Sequence, residues 1–535
     1  MFWVIDMLIS QIRLMLLHIN NMKNIIKKFL QRSKNGKKNT VTTLQPIDGH
    51  EEYRVPLSVI NISFIFCTKE DLFSSAKIQI IAEELNVDPA IVKEDLGRVL
   101  DTTISDVLCC IEYPYVEEYY RDSYYSFYSR KHKEYNRNCF RISFFKPVVT
   151  EENFYDIEMG ENFLGYVVLR PTPKRIIGYT FLSPRIYLHN NYSICLCKRT
   201  ISVMGRLLET TGFPFCGQDG EMNQCAENAI VILFDYFSRR YNKYSRVLPS
   251  QIADITYNNL SNRNQPSIGL DMDNVGSVIE NMYMATRRYV KVPDSDICRE
   301  DHKFSQDEFN GLLQIYIESG LPIYASTSTH AFLIVGRENK FFYNGAKVVC
   351  MNDNKKPYSF RETTDDIEEF IVPVAENILL NAEQLNPDKT ISELKKLFPN
   401  ICFLSQEHEY YHRIFLTTSR SYKAYLASSP LTMLNKNLSI CTAMPRYIWV
   451  CESYKKDELQ NEIISNYADL ITVVDATDYA YGCNHLLMVK TLDKLIIPTT
   501  DRTRLQRKTY SIFDSSEKMK PFMRNLKGLH TSWKD

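Results

Sequence analysis

The 535-residue chain has no net charge, because 64 Lys and Arg residues are balanced by 64 Asp and Glu residues. This balance removes any overall electrostatic attraction for nucleic acid or for an anionic membrane surface. The 14 cysteines include no Cys-x-x-Cys pair, and no group of His and Cys has the spacing of a zinc site. Scattered cysteines of this kind are typical of reduced thiols in a cytosol. We therefore expect a cytoplasmic protein with no nucleic-acid partner.

At this length the chain is too long for one ordinary hydrophobic core, so two to four domains are expected. Changes of pattern along the sequence predict four parts. These are an apolar and basic tail with a linker at 1–45, an N-terminal α+β domain at 46–200, a central domain at 201–375 and a C-terminal α+β domain at 376–535.

The first 38 residues leave three interpretations open. Residues 1–19 are mostly apolar but contain Asp6 and Arg13, and a basic run follows at 23–38. A secretory signal carries its positive residues before the apolar stretch, so this order argues against one. In the first interpretation translation starts at Met22, and residues 1–21 are not part of the protein. In the second the segment is a mobile tail, and in the third it associates weakly with a membrane as a surface helix or a single span. In the last case the basic run would hold the body of the protein on the cytoplasmic side.

The stretch from Gly217 to Phe237 changes from polar to apolar at Cys225. Apolar residues recur at helical spacing after this point, which predicts a buried helix that begins within a residue or two of Cys225, with Asn223 as its N-cap. The partial positive charge of a helix N-terminus favours a thiolate over a thiol, and the thiolate is the nucleophile. Cys225 is therefore a candidate nucleophile, and a small buried core residue is the alternative.

A candidate base follows about a hundred residues later. The apolar pattern of residues 321–336 predicts two β-strands, with His330 at the mouth of the second. A third strand, predicted near residues 346–351, ends directly before Asn352 and Asp353. We expect Asp353 to orient the His330 imidazole.

This order of Cys on a helix, His on a strand and Asp or Asn after the next strand resembles the papain-like cysteine peptidases. Within them it is closest to the bacterial bacteriocin-processing branch, which removes double-glycine leader peptides. The resemblance covers about residues 212–374, roughly a third of the chain, and rests on three motifs in the right order. It implies an α+β fold in which a papain-like core, made of a helical lobe and a twisted antiparallel sheet, lies between N-terminal and C-terminal α+β domains.

The resemblance also implies a mechanism that requires neither a metal nor another cofactor. Cys225 would attack a peptide or isopeptide carbonyl of a protein substrate, His330 would transfer the proton, and Asp353 would hold the His tautomer. Gln218 or Gln224, together with the Cys225 backbone N–H, would stabilise the oxyanion.

Two departures from the family keep alternatives open. Papain-like enzymes usually have Gln six residues before the nucleophile, where this chain has Asp219, and Gln218 lies one residue earlier. Ala226 follows Cys225 in place of the usual Gly or aromatic residue. A papain-like scaffold without a working oxyanion hole would bind an extended peptide without cutting it. An amidase or acyltransferase would use the same triad.

Three further patterns predict local structure. A helix is expected from about Asp273 to Arg287, and Ser305 with Glu308 forms a capping box for the next helix. The tyrosine-rich segment at 113–135 could stack on nucleobases, but its equal share of acids and bases favours tyrosines that bury their rings.

Overall fold

The structure is a computed structural model that describes residues 66–188, 191–221, 225–258, 270–339, 347–401, 409–456, 467–478, 485–499 and 509–528. Helices and strands are both abundant in these residues, which confirms the predicted α+β class. The predictions for the tail at 1–45, for Asn223 and for Gln224 lie outside the described residues.

The first part of the described chain contains an antiparallel sheet of seven strands. Its helices are α1 (Lys69–Leu72), α2 (Ser75–Leu85), α3 (Pro89–Leu100) and α4 (Glu118–Ser126). Its strands are β1 (Phe66–Thr68), β2 (Leu108–Tyr115), β3 (Cys139–Phe145), β4 (Phe163–Leu169), β5 (Ile177–Leu182), β6 (Tyr192–Ile194), β7 (Cys197–Val203) and β8 (Arg206–Cys216). Seven of these eight strands form the sheet, in the order β1-β2-β3-β4-β5-β8-β7, and β6 instead joins the second sheet. Every residue of β3, β4 and β5 is buried, which explains why these strands are almost wholly apolar.

The central part contributes most of a second, nine-stranded sheet. Its helices are α5 (Cys225–Arg240), α6 (Pro249–Asn258), α7 (Met272–Asn281) and α8 (Gln306–Glu318). Its strands are β9 (Ala285–Lys291), β10 (Lys303–Phe304), β11 (Ile323–Ser326), β12 (Ala331–Glu338), β13 (Val348–Met351), β14 (Ser359–Arg361) and β15 (Glu369–Val374). The order is β10-β9-β15-β11-β12-β13-β14, and β6 also pairs with β12.

The last part of the chain forms a six-stranded sheet in sequential order. Its helices are α9 (Pro387–Leu397), α10 (Ser419–Ser428) and α11 (Met433–Cys441). Its strands are β16 (Tyr410–Thr418), β17 (Tyr447–Lys455), β18 (Leu470–Asp475), β19 (Leu486–Lys490), β20 (Lys494–Thr499) and β21 (Thr509–Asp514), and β22 (Lys527–Gly528) pairs with β6 of the second sheet.

Helix α5 packs against both of the first two sheets, through contacts with β7, β8 and β12. Residues Leu57–Asp535 form one compact unit. The predicted boundary between residues 200 and 201 lies inside β7, which pairs with β8 along its whole length. Strand β8 therefore leads directly from the first sheet into the loop before α5.

Close pairing of β6 with β12 depends on Gly336. A Cβ atom at this position would collide with the Ser193 carbonyl oxygen and with Ile194 on β6. Glycine alone allows the two backbones to approach this closely. This pairing helps to fix β12, the strand that follows His330.

The helix predicted from Asp273 to Arg287 is wrong in its C-terminal part, because α7 ends at Asn281. Tyr283 has a φ of 63°, in the left-handed region that an α-helix cannot continue through, and its side chain is exposed. Residues from Ala285 onward instead pair with β15. The apolar spacing that indicated one long helix belongs to a short helix and an adjoining strand.

The capping box predicted at Ser305 and Glu308 is present in its N-cap half. Ser305 is the N-cap of α8 and its side chain accepts a hydrogen bond from the Glu308 N–H, while the Glu308 carboxylate accepts from the Ser305 hydroxyl. Tyr119, Tyr120 and Tyr128 of the tyrosine-rich segment are buried, as expected for tyrosines that pack inside the protein.

Candidate functional site

Cys225 is the first residue of α5 and is only partly buried. The next twelve residues, from Ala226 to Phe237, are all buried between the two sheets, so the helix is anchored by its whole middle section. Because packing holds the helix axis, it also fixes the position of the sulfur at the helix end. The helix that the sequence predicted is confirmed.

The surroundings of the Cys225 thiol differ from the expectation in one respect. Burial raises the pKa of the thiol above its ordinary value, although the backbone N–H groups of Ala331 and Ala226 lower it in part. The charge of Asp353 raises the pKa further. The sequence predicted that the helix end favours the thiolate, and the Ala226 N–H acts in that direction, but desolvation is the larger effect and the pKa of the thiol is raised.

His330 lies in the turn between β11 and β12, directly before the first residue of β12. Thr327 closes this turn: its N–H donates to the His330 carbonyl oxygen at 2.9 Å, and its hydroxyl accepts from the His330 N–H at 3.2 Å. The backbone of His330 is thus held by hydrogen bonds and its side chain is about one-fifth exposed. The two strands predicted on either side of His330 are confirmed.

The His330 ring faces two neighbouring side chains through the same nitrogen. Nε2 lies 3.0 Å from Asn352 Oδ1 and 3.4 Å from Asp353 Oδ1. When Nε2 carries the proton, Nδ1 is the basic nitrogen of the neutral ring. Asn352 Oδ1 also accepts from the Asn354 N–H at 3.0 Å, so its direction is fixed by the loop that follows β13.

Asp353 is buried and is tied to the helix of the candidate nucleophile. Asn228, on the first turn of α5, donates from Nδ2 to Asp353 Oδ2 at 3.1 Å. Burial raises the pKa of the Asp353 carboxyl, while the hydrogen bond from Asn228 and the charge of His330 lower it. The carbonyl oxygen of Asp353 accepts from the Gln218 N–H at 3.3 Å.

Gln218 therefore lies in a loop that is bound to the Asp353 loop. The preceding carbonyl, that of Gly217, accepts from Arg170 Nη2 at 2.5 Å and from Asn228 Nδ2 at 3.5 Å. The Gln218 side chain is partly exposed. Asp219, by contrast, is fully buried, and its carboxylate accepts from the Tyr128 hydroxyl and the Glu221 N–H.

The structure thus brings together the segments of Cys225, His330, Asp353 and Gln218. The thiol lies against the N–H of Ala331, the residue after His330. No hydrogen bond joins the thiol to the imidazole among the residues that the structure describes. Catalytic hydrogen bonds are often long or poorly aligned before a substrate is bound.

Sequence reasoning missed two residues of the site. Asn352 is closer to His330 Nε2 than Asp353 is, and it directly precedes Asp353 in the chain. Asn228 is one helical turn after Cys225, so helical spacing could have placed it on the face of α5 that carries the thiol. Both side chains are amides whose neighbours in the sequence are apolar or acidic. Only their hydrogen bonds in the folded structure distinguish them from ordinary polar residues.

Comparison with known proteins adds no relative. No protein-family model matches the chain, and none of the curated proteins matches it significantly. Among the described residues, no helix has the length and apolar character needed to cross a membrane.

Proposed function

We propose that the chain is a cysteine-dependent hydrolase with a papain-like core, which cleaves a peptide or isopeptide bond of a protein substrate in the cytoplasm. Cys225 is the nucleophile, His330 the acid and base, and Asp353 the residue that stabilises the imidazolium. The observation that carries the proposal is the His330 ring, whose Nε2 lies between Asn352 Oδ1 and Asp353 Oδ1. Nδ1 is then the nitrogen available to a thiol.

The chemistry follows from these positions. His330 Nδ1 takes the proton from the Cys225 thiol as the sulfur bonds to the substrate carbonyl carbon. The tetrahedral intermediate collapses to a thioester, and the imidazolium gives its proton to the departing amine. A water molecule, deprotonated by His330, then attacks the thioester, and the thiol leaves with the proton. No electrons are exchanged, and no cofactor is needed.

The raised pKa of the Cys225 thiol supports proton transfer at the moment of attack. A thiol with a pKa above its ordinary value is almost fully protonated at neutral pH. The base must therefore remove the proton as the substrate reacts, which requires an imidazole with one free nitrogen and a nearby carboxylate. His330 and Asp353 supply these two groups.

The oxyanion would be stabilised by the Cys225 N–H and by the Gln218 side chain. The hydrogen bonds of the Gly217 and Asp353 carbonyl oxygens hold the backbone of this loop. Such a fixed loop supports the role of Gln218, because a loop that already lies beside the site costs little free energy to rearrange when the charge develops.

A second candidate is a protein that binds an extended peptide on the same scaffold without cutting it. The absence of a thiol–imidazole hydrogen bond among the described residues, and the contact of the thiol with the Ala331 N–H, favour this candidate. An amidase or acyltransferase would use the same groups as the peptidase.

Labelling with peptide-based acyloxymethyl ketones tests the proposal, because these compounds alkylate a cysteine only when it is activated and when the peptide binds nearby. The proposed hydrolase should be labelled at Cys225, and His330→Ala should lose the labelling. Cys441→Ala, which removes an exposed cysteine far along the chain, is the matched control and should be labelled like the wild type. Peptide binding without any covalent labelling would reject the hydrolase and support the second candidate.

A further inference from the structure

Asn228 lies at a junction of three chain segments that carry the proposed site. It is on α5, three residues after Cys225, and only 7% of its surface is exposed. Its Nδ2 atom donates to Asp353 Oδ2 at 3.1 Å, in the loop after β13, and to the Gly217 carbonyl oxygen at 3.5 Å, in the loop after β8. One amide group therefore connects the helix of the nucleophile to both loops.

We propose that Asn228 is a positioning residue, which fixes one oxygen of the Asp353 carboxylate to α5 and leaves the other oxygen for His330. This inference rests on the proposed function and adds to it a residue that acts through Asp353. Among the described residues, the hydrogen bonds of Asn228 reach Asp353 and Gly217 and neither the imidazole nor the thiol.

The two oxygens of Asp353 have different surroundings. Oδ2 accepts the hydrogen bond from Asn228. Oδ1 is buried, has no hydrogen-bond partner among the described residues and lies 3.4 Å from His330 Nε2. A buried carboxylate oxygen without a donor is costly unless a cation forms beside it. An imidazolium at His330 provides that cation, so the arrangement favours the protonated ring during catalysis.

Asn228 also favours the ionised form of Asp353. Burial raises the pKa of the Asp353 carboxyl, and the hydrogen bond from Asn228 is the largest influence that lowers it. Without this donor the carboxyl would be protonated more readily and would no longer attract the imidazolium. The other titratable or charged groups that act on Asp353 are His330, Arg170, Cys216, Cys225 and Tyr324.

The second hydrogen bond of Asn228 is the weaker one. The Gly217 carbonyl oxygen has another donor, Arg170 Nη2, at 2.5 Å. When Asn228 is replaced, Gly217 keeps this partner, whereas Asp353 Oδ2 loses the one hydrogen bond recorded for it among the described residues. The effect of a substitution at Asn228 should therefore pass through Asp353.

A double-mutant cycle tests this coupling. The reaction of Cys225 with iodoacetamide is followed by mass spectrometry between pH 5 and pH 10 in the wild type, Asn228→Ala, Asp353→Asn and the double variant. We expect Asn228→Ala to slow alkylation at neutral pH by roughly tenfold, equivalent to about one pKa unit. The double variant should react no more slowly than Asp353→Asn alone, because both changes remove the same charge.

Controls separate this role from simple destabilisation. Asn435 is also a buried asparagine, and its Nδ2 donates to the Asp514 carbonyl oxygen at 2.9 Å, away from the site. Asn435→Ala should lower stability without changing the rate at Cys225. Should Asn228→Ala fail to fold, Asn228→Ser, which is smaller than asparagine but polar, should give the same slow alkylation.

The outcomes distinguish this inference from the proposed function. If His330→Ala leaves the Cys225 rate unchanged, the proposed function fails and the inference fails with it. If His330→Ala slows the reaction but Asn228→Ala does not, the hydrolase stands and the positioning role is rejected. Losses at Asn228 and Asp353 that multiply in the double variant would also reject it, because they would show that Asn228 acts independently of Asp353.

Discussion

Asn352 Oδ1 lies 3.0 Å from His330 Nε2, closer than the carboxylate oxygen of the next residue, Asp353, at 3.4 Å. Nε2 carries a single proton and can direct it at one acceptor only. The neutral amide therefore receives the hydrogen bond and sets the tautomer, while the carboxylate acts on the ring through its charge. Asn352 therefore orients the His330 ring, and Asp353 stabilises its protonated form.

We predict that substitutions of these two residues have different pH dependences. Asn352→Ala should slow labelling of Cys225 at every pH, since the ring loses its orientation. Asp353→Asn should slow it most at neutral and alkaline pH and least at the acidic side, because burial raises the pKa of the Asp353 carboxyl and the wild type also loses this charge in acid. Rates of labelling measured from pH 5 to pH 9 check this. Identical profiles for the two variants would mean that the two residues share one role.

The raised pKa of Cys225 leads to a second prediction. In His330→Ala, alkylation by iodoacetamide should rise only above about pH 9, because burial holds the thiol pKa above its ordinary value of 9.0. In the wild type the rate at pH 7 should be about tenfold higher than in the variant, because His330 removes the proton. Cys441, which is exposed, provides the reference rate within the same molecule. A wild-type Cys225 slower than Cys441 at pH 7 would contradict its assignment as nucleophile.

The sequence predicted those parts of the site that depend on local periodicity. The apolar runs around Cys225 and His330 can be buried in few ways, so the helix and the two strands follow from the pattern. The loop after β13 was located by the end of an apolar run. These elements are confirmed because each depends on neighbours in the chain.

Features that depend on distant contacts were not predictable. The burial of Cys225 raises the pKa of its thiol and outweighs the local effect of the helix end, and a helical pattern in the sequence does not show this burial. The link between Asn228 and Asp353 joins residues 125 positions apart. Tyr283 lies within the helix predicted from Asp273 to Arg287, while its backbone is left-handed. In each case tertiary packing decides the outcome.

A third prediction concerns the connection between the second and third sheets. Glu318, at the end of α8, is buried and pairs with Arg337 of β12 and with Arg413 of β16, whose Nη2 lies 2.7 Å away. Burial alone would raise the pKa of Glu318, but the charges and hydrogen bonds of the two arginines lower it to about 2. Because the folded-state pKa is below the unfolded value, this carboxylate stabilises the protein above about pH 4.5 and loses its contribution as the pH falls towards 2.

Glu318→Gln should therefore lower the free energy of unfolding at pH 7 by about 3 kcal/mol, since the buried Arg337 loses its charged partner and Arg413 keeps only Glu452. Between pH 4 and pH 2 the variant should lose less stability than the wild type. Urea unfolding at a series of pH values checks both expectations. Glu362→Gln, at an exposed pair with Lys347, is the control and should change little. A variant whose pH profile parallels that of the wild type would show that Glu318 does not titrate in this range.

The last prediction compares two cysteines at opposite ends of the loop that precedes α5. Cys216 is 5% exposed at the end of β8 and belongs to the hydrophobic core, whereas Cys225 is partly exposed. Truncation of a buried side chain removes packing contacts, so Cys216→Ala should lower the free energy of unfolding by about 1 kcal/mol or more. Cys225→Ala should cost clearly less, because a partly exposed sulfur buries less apolar area. Thermal melts of both variants, together with probe labelling of the wild type, measure the difference.

A site residue contributes its reactivity, whereas a core residue contributes packing. Cys225→Ala should therefore abolish labelling with little loss of stability. If Cys225→Ala is as destabilising as Cys216→Ala and the wild type is not labelled, Cys225 is a core residue and the peptidase proposal is wrong.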